Sequence, residues 1–154
     1  MFSNELICNI LDYLDKNILE EIKIDDLSNY FYFDRTYIMK KFKKETGISI
    51  INYLNTLKIY NSLKYFKDDK TILEIALKSG FNSQEYYSEI FKNILGVTPI
   101  VYRKYISYIA KLDVKDIKTI QDRLIDIEIL FSKIIKYKNN RKPQSTIKKL
   151  SLYK

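Results

Sequence analysis

The sequence predicts an all-α fold, and three observations carry that prediction. Each of the three glycines, Gly47, Gly80 and Gly96, follows a helix-like run at the position where a left-handed residue ends a helix. No segment alternates apolar and polar residues convincingly, as a half-buried strand would. The third observation is an internal repeat with an offset of 48 to 49 residues, which predicts how the helices are grouped.

Seven helices are predicted before residue 110. Most of them start at a serine, threonine or aspartate, whose side-chain oxygen can accept a hydrogen bond from a free N–H group of the first turn. The predicted helices lie near 3–16, 25–31, 35–46, 50–66, 72–79, 84–95 and 99–109. The predicted N-caps are Ser3, Asp34, Ser49, Ser83 and Thr98. Thr71 and Glu74 have the spacing of a capping box, and Pro99 stands at a first helical position.

The internal repeat relates two parts of this region. Residues 42–49 match residues 91–98 at a constant offset of 49, and upstream Ser28 corresponds to Ala76 at an offset of 48. Each unit is therefore a short helix, a tight turn and a longer helix that ends in Phe-Lys. This is the helix-turn-helix pattern, and it occurs twice.

The turns of the two units differ at one residue. Ser28 and Ala76 are small, which lets the two helices of each unit approach closely. Gly80 follows Ala76 by four residues and supplies the positive φ that the turn requires. The first unit has Tyr32 at the corresponding position, so we expect a mildly unfavourable turn there.

Residues 113–137 are predicted to form a further helix. Its apolar residues have heptad spacing over about two and a half repeats, fewer than a coiled coil requires. They are Ile117, Ile120, Leu124, Ile127, Phe131 and Ile134. Two interpretations stay open: the helix packs against its own domain, or it forms the contact of a homodimer. The predicted organisation is a double helix-turn-helix domain at 1–108, a helical extension at 109–138 and a flexible basic tail at 139–154.

The net charge of +8 is confined to the end of the chain. From Lys133 onward there are eight basic residues and no acid, so residues 1–132 carry 19 basic and 19 acidic groups. A basic tail suggests nucleic acid or an anionic membrane surface as a partner, or a solvated and disordered end. Within the neutral body one local cluster of basic residues stands out, formed by Arg35, Lys40, Lys41, Lys43 and Lys44.

The composition argues against several functional classes. The chain has no histidine, which removes the commonest general base and most transition-metal ligand sets. We therefore expect no enzyme, cofactor or metal site. Cys8 lies on the apolar stripe of the first helix and is expected to be a buried core thiol. No window is long and apolar enough to span a membrane, and the N-terminus lacks a signal peptide, so a cytoplasmic location is expected.

These residues resemble the AraC/XylS family of bacterial transcription regulators, specifically its DNA-binding domain of two helix-turn-helix units joined by a long helix. The resemblance covers roughly residues 4–105. It is most specific at 72–81, 86–92, 96–99 and Tyr102-Arg103. It implies that helices 35–46 and 84–95 enter successive major grooves on one face of double-stranded DNA, about one turn apart.

The resemblance also implies which residues of helix 35–46 contact DNA. Its base-facing positions are Arg35, Thr36, Met39 and Lys40. Arginine and lysine can pair with guanine, and threonine and methionine can contact a thymine methyl group. Lys43 can reach a phosphate. The remaining apolar positions Tyr37, Ile38 and Phe42 are expected in the core.

Helix 84–95 departs from the family. The matching exposed positions are Gln84, Glu85, Tyr86 and Glu89, and the family often carries arginine at the last of these. Two carboxylates one turn apart repel phosphate, although a carboxylate can accept from cytosine N4. Lys92 alone is left to offset the charge of this helix.

Two functions are therefore compatible with the sequence. The first is a sequence-specific DNA-binding regulator, more often an activator than a repressor by family resemblance, which contacts RNA polymerase. The second is a protein-interaction module on the same fold that has lost most DNA affinity, as the acidic second helix and the neutral body would allow.

Overall fold

The structure is a computed structural model, and it describes residues 2–107 and 111–141. This part of the chain forms eight α-helices, one 3₁₀ helix and no strand, which confirms the predicted all-α fold. The helices are α1 (Phe2–Lys16), α2 (Ile24–Phe31), α3 (Arg35–Thr46), α4 (Ile50–Ser62), the 3₁₀ helix (Leu63–Lys67), α5 (Ile72–Lys78), α6 (Gln84–Leu95), α7 (Pro99–Ser107) and α8 (Val114–Arg141). None of these helices is long and apolar enough to cross a membrane.

The predicted N-caps form the expected hydrogen bonds. Asp34 Oδ2 accepts from the backbone N–H groups of Thr36 and Tyr37 at 2.9 and 3.3 Å, which fixes the start of α3. The side chain of the predicted cap Ser3 lies outside the described residues. The other side chains that cap a helix start as predicted are Ser49, Thr71, Ser83 and Thr98. Local sequence therefore sets where these helices begin.

The helix predicted at 50–66 changes its geometry before it ends. The α-helix stops at Ser62, and the chain continues as a 3₁₀ helix to Lys67. The Ser62 hydroxyl is fully buried, donates to the Ile59 carbonyl at 2.6 Å and pairs with the Tyr87 hydroxyl at 2.7 Å. A serine that hydrogen-bonds a backbone carbonyl competes with the helical ladder, and 3₁₀ turns are common at helix ends.

The C-terminal helix is longer than predicted. It runs to Arg141, so Asn139 to Arg141 are helical rather than part of a flexible tail, and only 142–154 of that tail lie outside the described residues. Lys138 Nζ lies 2.7 Å from Asp12 Oδ1 and 3.3 Å from Asp15 Oδ2 of α1. These ion pairs, only partly exposed, hold the last turns of α8 in place.

Contacts divide the chain into two compact units. The first consists of residues up to Asn17, Ile22–Asn52 and α8 from Leu130 onward. Its core is built by α1, by one side of α2 and α3, and by the end of α8. Its buried side chains include Ile7, Cys8, Ile10, Leu11, Leu14, Leu27, Ile38, Phe42, Ile134 and Tyr137. Cys8 is therefore a core thiol, as predicted.

The second unit consists of Ile18–Glu21 and Tyr53–Ile129, and aromatic rings dominate its core. Its buried rings are Phe66, Phe81, Tyr87, Phe91 and Tyr102, with neighbouring centroids 5.0 to 5.7 Å apart. Tilted and edge-to-face pairs of this kind add to the stabilisation that burial provides. Burial also raises the pKa of Tyr102 to about 12.

The heptad residues of α8 pack within their own chain. Ile120 and Ile127 are buried in the second unit, and Ile134 is buried in the first. Packing against its own domain is therefore the interpretation that the structure supports. A homodimer through the same seam would require these three side chains to be uncovered.

The turns of the two helix-turn-helix units differ as the sequence predicts, with glycine in the second turn and tyrosine in the first. Gly80 has a φ of +87°, and Tyr32 adopts a φ of +60° although it carries a side chain. Tyr32 tolerates this because its side chain is 91% exposed. A Cβ atom on Gly80 would lie 2.7 Å from the Leu19 carbonyl oxygen. Only the second turn therefore requires glycine for space as well as for conformation.

Candidate nucleic-acid interface

The outward face of α3 carries the five residues of the first helix-turn-helix unit that are predicted to contact DNA. All five are exposed, and their spacing of one, three, one and three residues places them on one side of the helix. They are Arg35, Thr36, Met39, Lys40 and Lys43. This face, which we call the basic face, has three cations and no acid.

Two buried side chains fix the direction in which the basic face points. Ile38 and Phe42 are fully buried on the opposite side of α3, against the core that α1 and α2 provide. Burial of such side chains contributes about 1.5–3 kcal/mol each relative to exposure. Rotating α3 would expose them, so the core holds the basic face toward solvent.

Arg35 is already oriented in the free protein. Its Nη1 lies 3.4 Å from Asp25 Oδ1 at the start of α2, and both side chains are more than half exposed. An exposed ion pair contributes at most about 1 kcal/mol. A guanine edge or a phosphate can therefore replace Asp25 as the partner of Arg35 at little cost.

Beside the basic face lies a shallow groove that the sequence did not predict. It has a volume of about 240 Å³ and is lined by Asp34, Thr36, Tyr37, Lys40, Lys41 and Lys44. The prediction that Tyr37 lies in the core is wrong: its side chain is 42% exposed and stacks on Phe33, with ring centroids 5.6 Å apart. Helical spacing alone could not separate it from Ile38, because Tyr37 lies at the edge of the apolar stripe.

The groove is positively charged on one side. Lys41 is paired with Glu45 at 3.0 Å, and the hydrogen bond and charge of Lys41 keep the pKa of Glu45 below its ordinary value. Within the described residues Lys40 and Lys44 form no ion pair, so both ammonium groups are available to an anion. The basic run in the sequence predicted these cations, but not that they line a groove.

The outward face of α6 has the opposite character. Three of the predicted residues, Glu85, Glu89 and Lys92, share one side of this helix, and all five predicted residues are exposed. They are Gln84, Glu85, Tyr86, Glu89 and Lys92. This face, which we call the acidic face, has two carboxylates and one cation. Tyr87, Phe91 and Leu95 are fully buried behind it and fix its direction.

Lys58 positions the turn that leads into α6, and sequence analysis missed it. Its Nζ donates to the carbonyl oxygens of Glu20 at 2.7 Å and Gly80 at 3.1 Å, and lies 5.7 Å from the centroid of the Phe81 ring. Burial lowers the pKa of Lys58, and the charges of Glu21 and Glu20 oppose that shift. No local signal marks such a residue, because its partners are 22 and 38 residues away.

The described residues contain no group of three or more cysteine, histidine, aspartate or glutamate side chains arranged to hold a metal ion.

Comparison with known proteins identifies this architecture. A family model described as a helix-turn-helix domain matches residues 27–105. The Tn10 TetD protein of Escherichia coli is 33% identical over 104 residues, which are 67% of this chain and 75% of that protein. A solved transcriptional regulator of Chromobacterium violaceum, described as containing an AraC-type DNA-binding domain, has a TM-score of 0.59 and 23% identity over 70% of this chain and 97% of its own.

The chain belongs to the AraC-type helix-turn-helix family. The AraC-type domain is a DNA-binding module of transcription regulators and not an enzyme fold, and double-stranded DNA is its partner. The DNA-binding domain of AdpA, solved with a target DNA, has the same fold, with a TM-score of 0.61 and 20% identity over 66% of this chain and 93% of that one.

The AraC-type match leaves part of the chain uncovered. Regulators from Staphylococcus aureus are 29% identical over 104 residues, and this chain spans only 14% of their length. In the present chain α8 follows the matched residues 27–105 entirely. The contacts of α8 therefore lie outside the residues that the family model matches.

Proposed function

We propose that this AraC-type chain binds DNA sequence-specifically, with α3 as the main reading helix. The observation that supports this proposal is the basic face, on which three cations flank Thr36 and Met39 without an acid. Arg35 and Lys40 reach guanine O6 and N7, Thr36 and Met39 contact thymine methyl groups, and Lys43 binds a phosphate. The groove beside Tyr37 adds lysines that face the backbone of the same DNA.

In the same proposal α6 enters the next major groove along the DNA. The family resemblance supports this placement, and the matching outward positions of α6 are exposed. Because the acidic face repels phosphate, we propose that α6 contributes discrimination more than affinity. Activation through a contact with RNA polymerase is proposed from the family resemblance, and transcription from a promoter carrying the selected site should rise when the protein is added.

Selection of binding sites from random DNA tests the proposal. Sequence-specific binding predicts an enriched motif, and a competitor with that motif should displace the protein at a concentration at least about a thousandfold lower than scrambled DNA does. If selection enriches no motif, the basic face is not a base-reading surface.

A second candidate function, a protein-interaction module, is favoured by one observation. The acidic face of α6 carries Glu85 and Glu89 one turn apart, and no cation pairs with them among the described residues. Such a face suits a basic protein surface better than DNA. Substitution of the two glutamates distinguishes the two functions.

We expect Glu85→Gln and Glu89→Gln to affect DNA binding in a way that reveals the role of α6. If α6 docks without a cytosine partner, each substitution removes repulsion and binding to every sequence tightens. If one glutamate accepts from cytosine N4, its substitution lowers discrimination at one base pair by about 1–3 kcal/mol. Competition with single-base variants of the selected site measures both effects. No change in either variant would leave α6 free for a protein partner.

We also propose that residues 142–154 add non-specific affinity, because they contain four lysines and no acid. The truncation must begin at residue 142, since Ile134 and Tyr137 are buried and Lys138 is ion-paired. Deletion of 142–154 should weaken binding to scrambled DNA at low salt, and the difference should shrink as salt rises. Preference for the selected site should survive. Equal affinities of the full and shortened chains at low salt would contradict this role.

A further inference from the structure

The first half of α8 contacts the C-terminal end of the reading helix α6. Arg123 Nη1 lies 3.1 Å from the Asn93 carbonyl oxygen and 3.2 Å from that of Ile94, and donates to both. These carbonyls belong to the last turn of α6, where carbonyl groups lack a partner within the helix. A cation at this end also interacts favourably with the helix dipole.

A second contact shows how closely α8 approaches α6. Gly96 ends α6 with a φ of +77°, and a Cβ atom placed on it would lie 2.5 Å from Thr119 Cγ2 of α8. The Thr119 hydroxyl donates to the Lys115 carbonyl at 2.9 Å, which fixes its methyl group toward Gly96. The corresponding Gly47 at the end of α3 has a similar φ of +81°, and no atom of the described residues lies within 4 Å of such a Cβ. Of these two glycines, only Gly96 has a described atom of another helix within contact distance of such a Cβ.

We propose that Arg123 is a positioning residue for DNA reading by α6. It fixes the C-terminal end of the helix, and with it the direction of the acidic face, without touching DNA itself. Because the carboxylates of that face repel phosphate, a small change of orientation affects its docking strongly. The inference rests on the proposed function of α6 and extends the DNA-reading machinery to a helix that follows the AraC-type match.

Three variants test the proposal. Arg123→Ala removes both hydrogen bonds. Arg123→Lys keeps the charge but has a shorter side chain, so its ammonium reaches less far than the guanidinium Nη1 that donates to both carbonyls. Lys118→Ala is the matched control, because it removes one exposed cation of α8 that forms no hydrogen bond or ion pair with α6 among the described residues. Hydrogen exchange of the Gly96 amide, which donates to Lys92 at 2.8 Å, reports the state of the helix end without DNA.

We expect exchange of the Gly96 amide to accelerate at least about fivefold in Arg123→Ala, less in Arg123→Lys, and not in Lys118→Ala. Quantitative footprinting then assigns to α6 the part of the site that Gln84→Ala weakens. In Arg123→Ala that part should require about five to ten times more protein for protection, whereas the part read by α3 should be unchanged.

The results that would contradict the role of Arg123 can be distinguished from one another. Unchanged exchange would show that Arg123 does not hold the helix end. Faster exchange with an even loss of protection across the site, or with none, would show that Arg123 only stabilises the fold. If the unmodified protein protects no DNA, the proposed function fails together with this inference, even where exchange responds.

Discussion

Replacement of Arg35 or Lys40 by alanine is expected to weaken binding of the selected site by about 1–3 kcal/mol each and to relax the preference at one base pair. Both side chains lie on the basic face, and the core behind it, Ile38 and Phe42, does not change. The loss arises because a bidentate contact to guanine disappears while the phosphate contacts remain. Competition with single-base variants of the site measures the two quantities.

Lys43→Ala is the matched control for this prediction. Lys43 lies on the same face one turn further along α3, where we propose a phosphate contact. Its removal should weaken all sequences alike and lower the slope of log K against log salt by about one. If Arg35→Ala and Lys40→Ala behaved in the same way as Lys43→Ala, the basic face would bind DNA without reading it.

Gly80→Ala should be strongly destabilising, at about 2–4 kcal/mol. A residue with a Cβ costs about 1–2 kcal/mol in the left-handed region. At Gly80 the new atom would also lie 2.7 Å from the backbone oxygen of Leu19, which cannot rotate away. Because Lys58 also binds the Gly80 carbonyl, any shift of the turn would disturb the entry into α6. Urea unfolding followed by helical circular dichroism measures the loss.

Two further variants separate the cost of a side chain at positive φ from the cost of the collision with Leu19. Gly47→Ala has the same conformational cost, but its Cβ would meet no atom of the described part of the chain within 4 Å, so it should destabilise by only about 1–2 kcal/mol. Tyr32→Gly removes the strain of a tyrosine at positive φ and should be stabilising by about 0.5–1 kcal/mol, after allowance for the greater freedom of glycine in the unfolded chain. Equal costs for Gly47→Ala and Gly80→Ala would contradict the proposed collision with Leu19.

Features that depend on neighbours in the sequence could be predicted without the structure. Asp34 and Ser83 cap the reading helices, and Gly47 and Gly96 end them, because each interaction spans only a few residues. The internal repeat relates the two helix-turn-helix units, and the ten candidate contact residues that the family resemblance implies are all exposed.

Features that depend on distant contacts could not be predicted. Arg123 and Lys58 hold parts of the chain 22 to 38 residues away, and nothing in their local sequence distinguishes them from solvent-exposed cations. The extension of α8 to Arg141 depends on ion pairs between Lys138 and α1, across more than a hundred residues. Tyr37 is exposed and not in the core as predicted, because its position on the helix does not show where the core ends.

The most direct test of the central claim is a salt-dependent titration of the selected DNA site, with scrambled DNA of equal length alongside. Sequence-specific reading by the basic face predicts that log K falls linearly with log salt between about 50 and 200 mM, with a slope near −0.9 per phosphate contact. It also predicts that the selected site retains an advantage of about a thousandfold or more over scrambled DNA. An affinity that does not respond to salt, or that is equal for the two DNA molecules, would contradict the account.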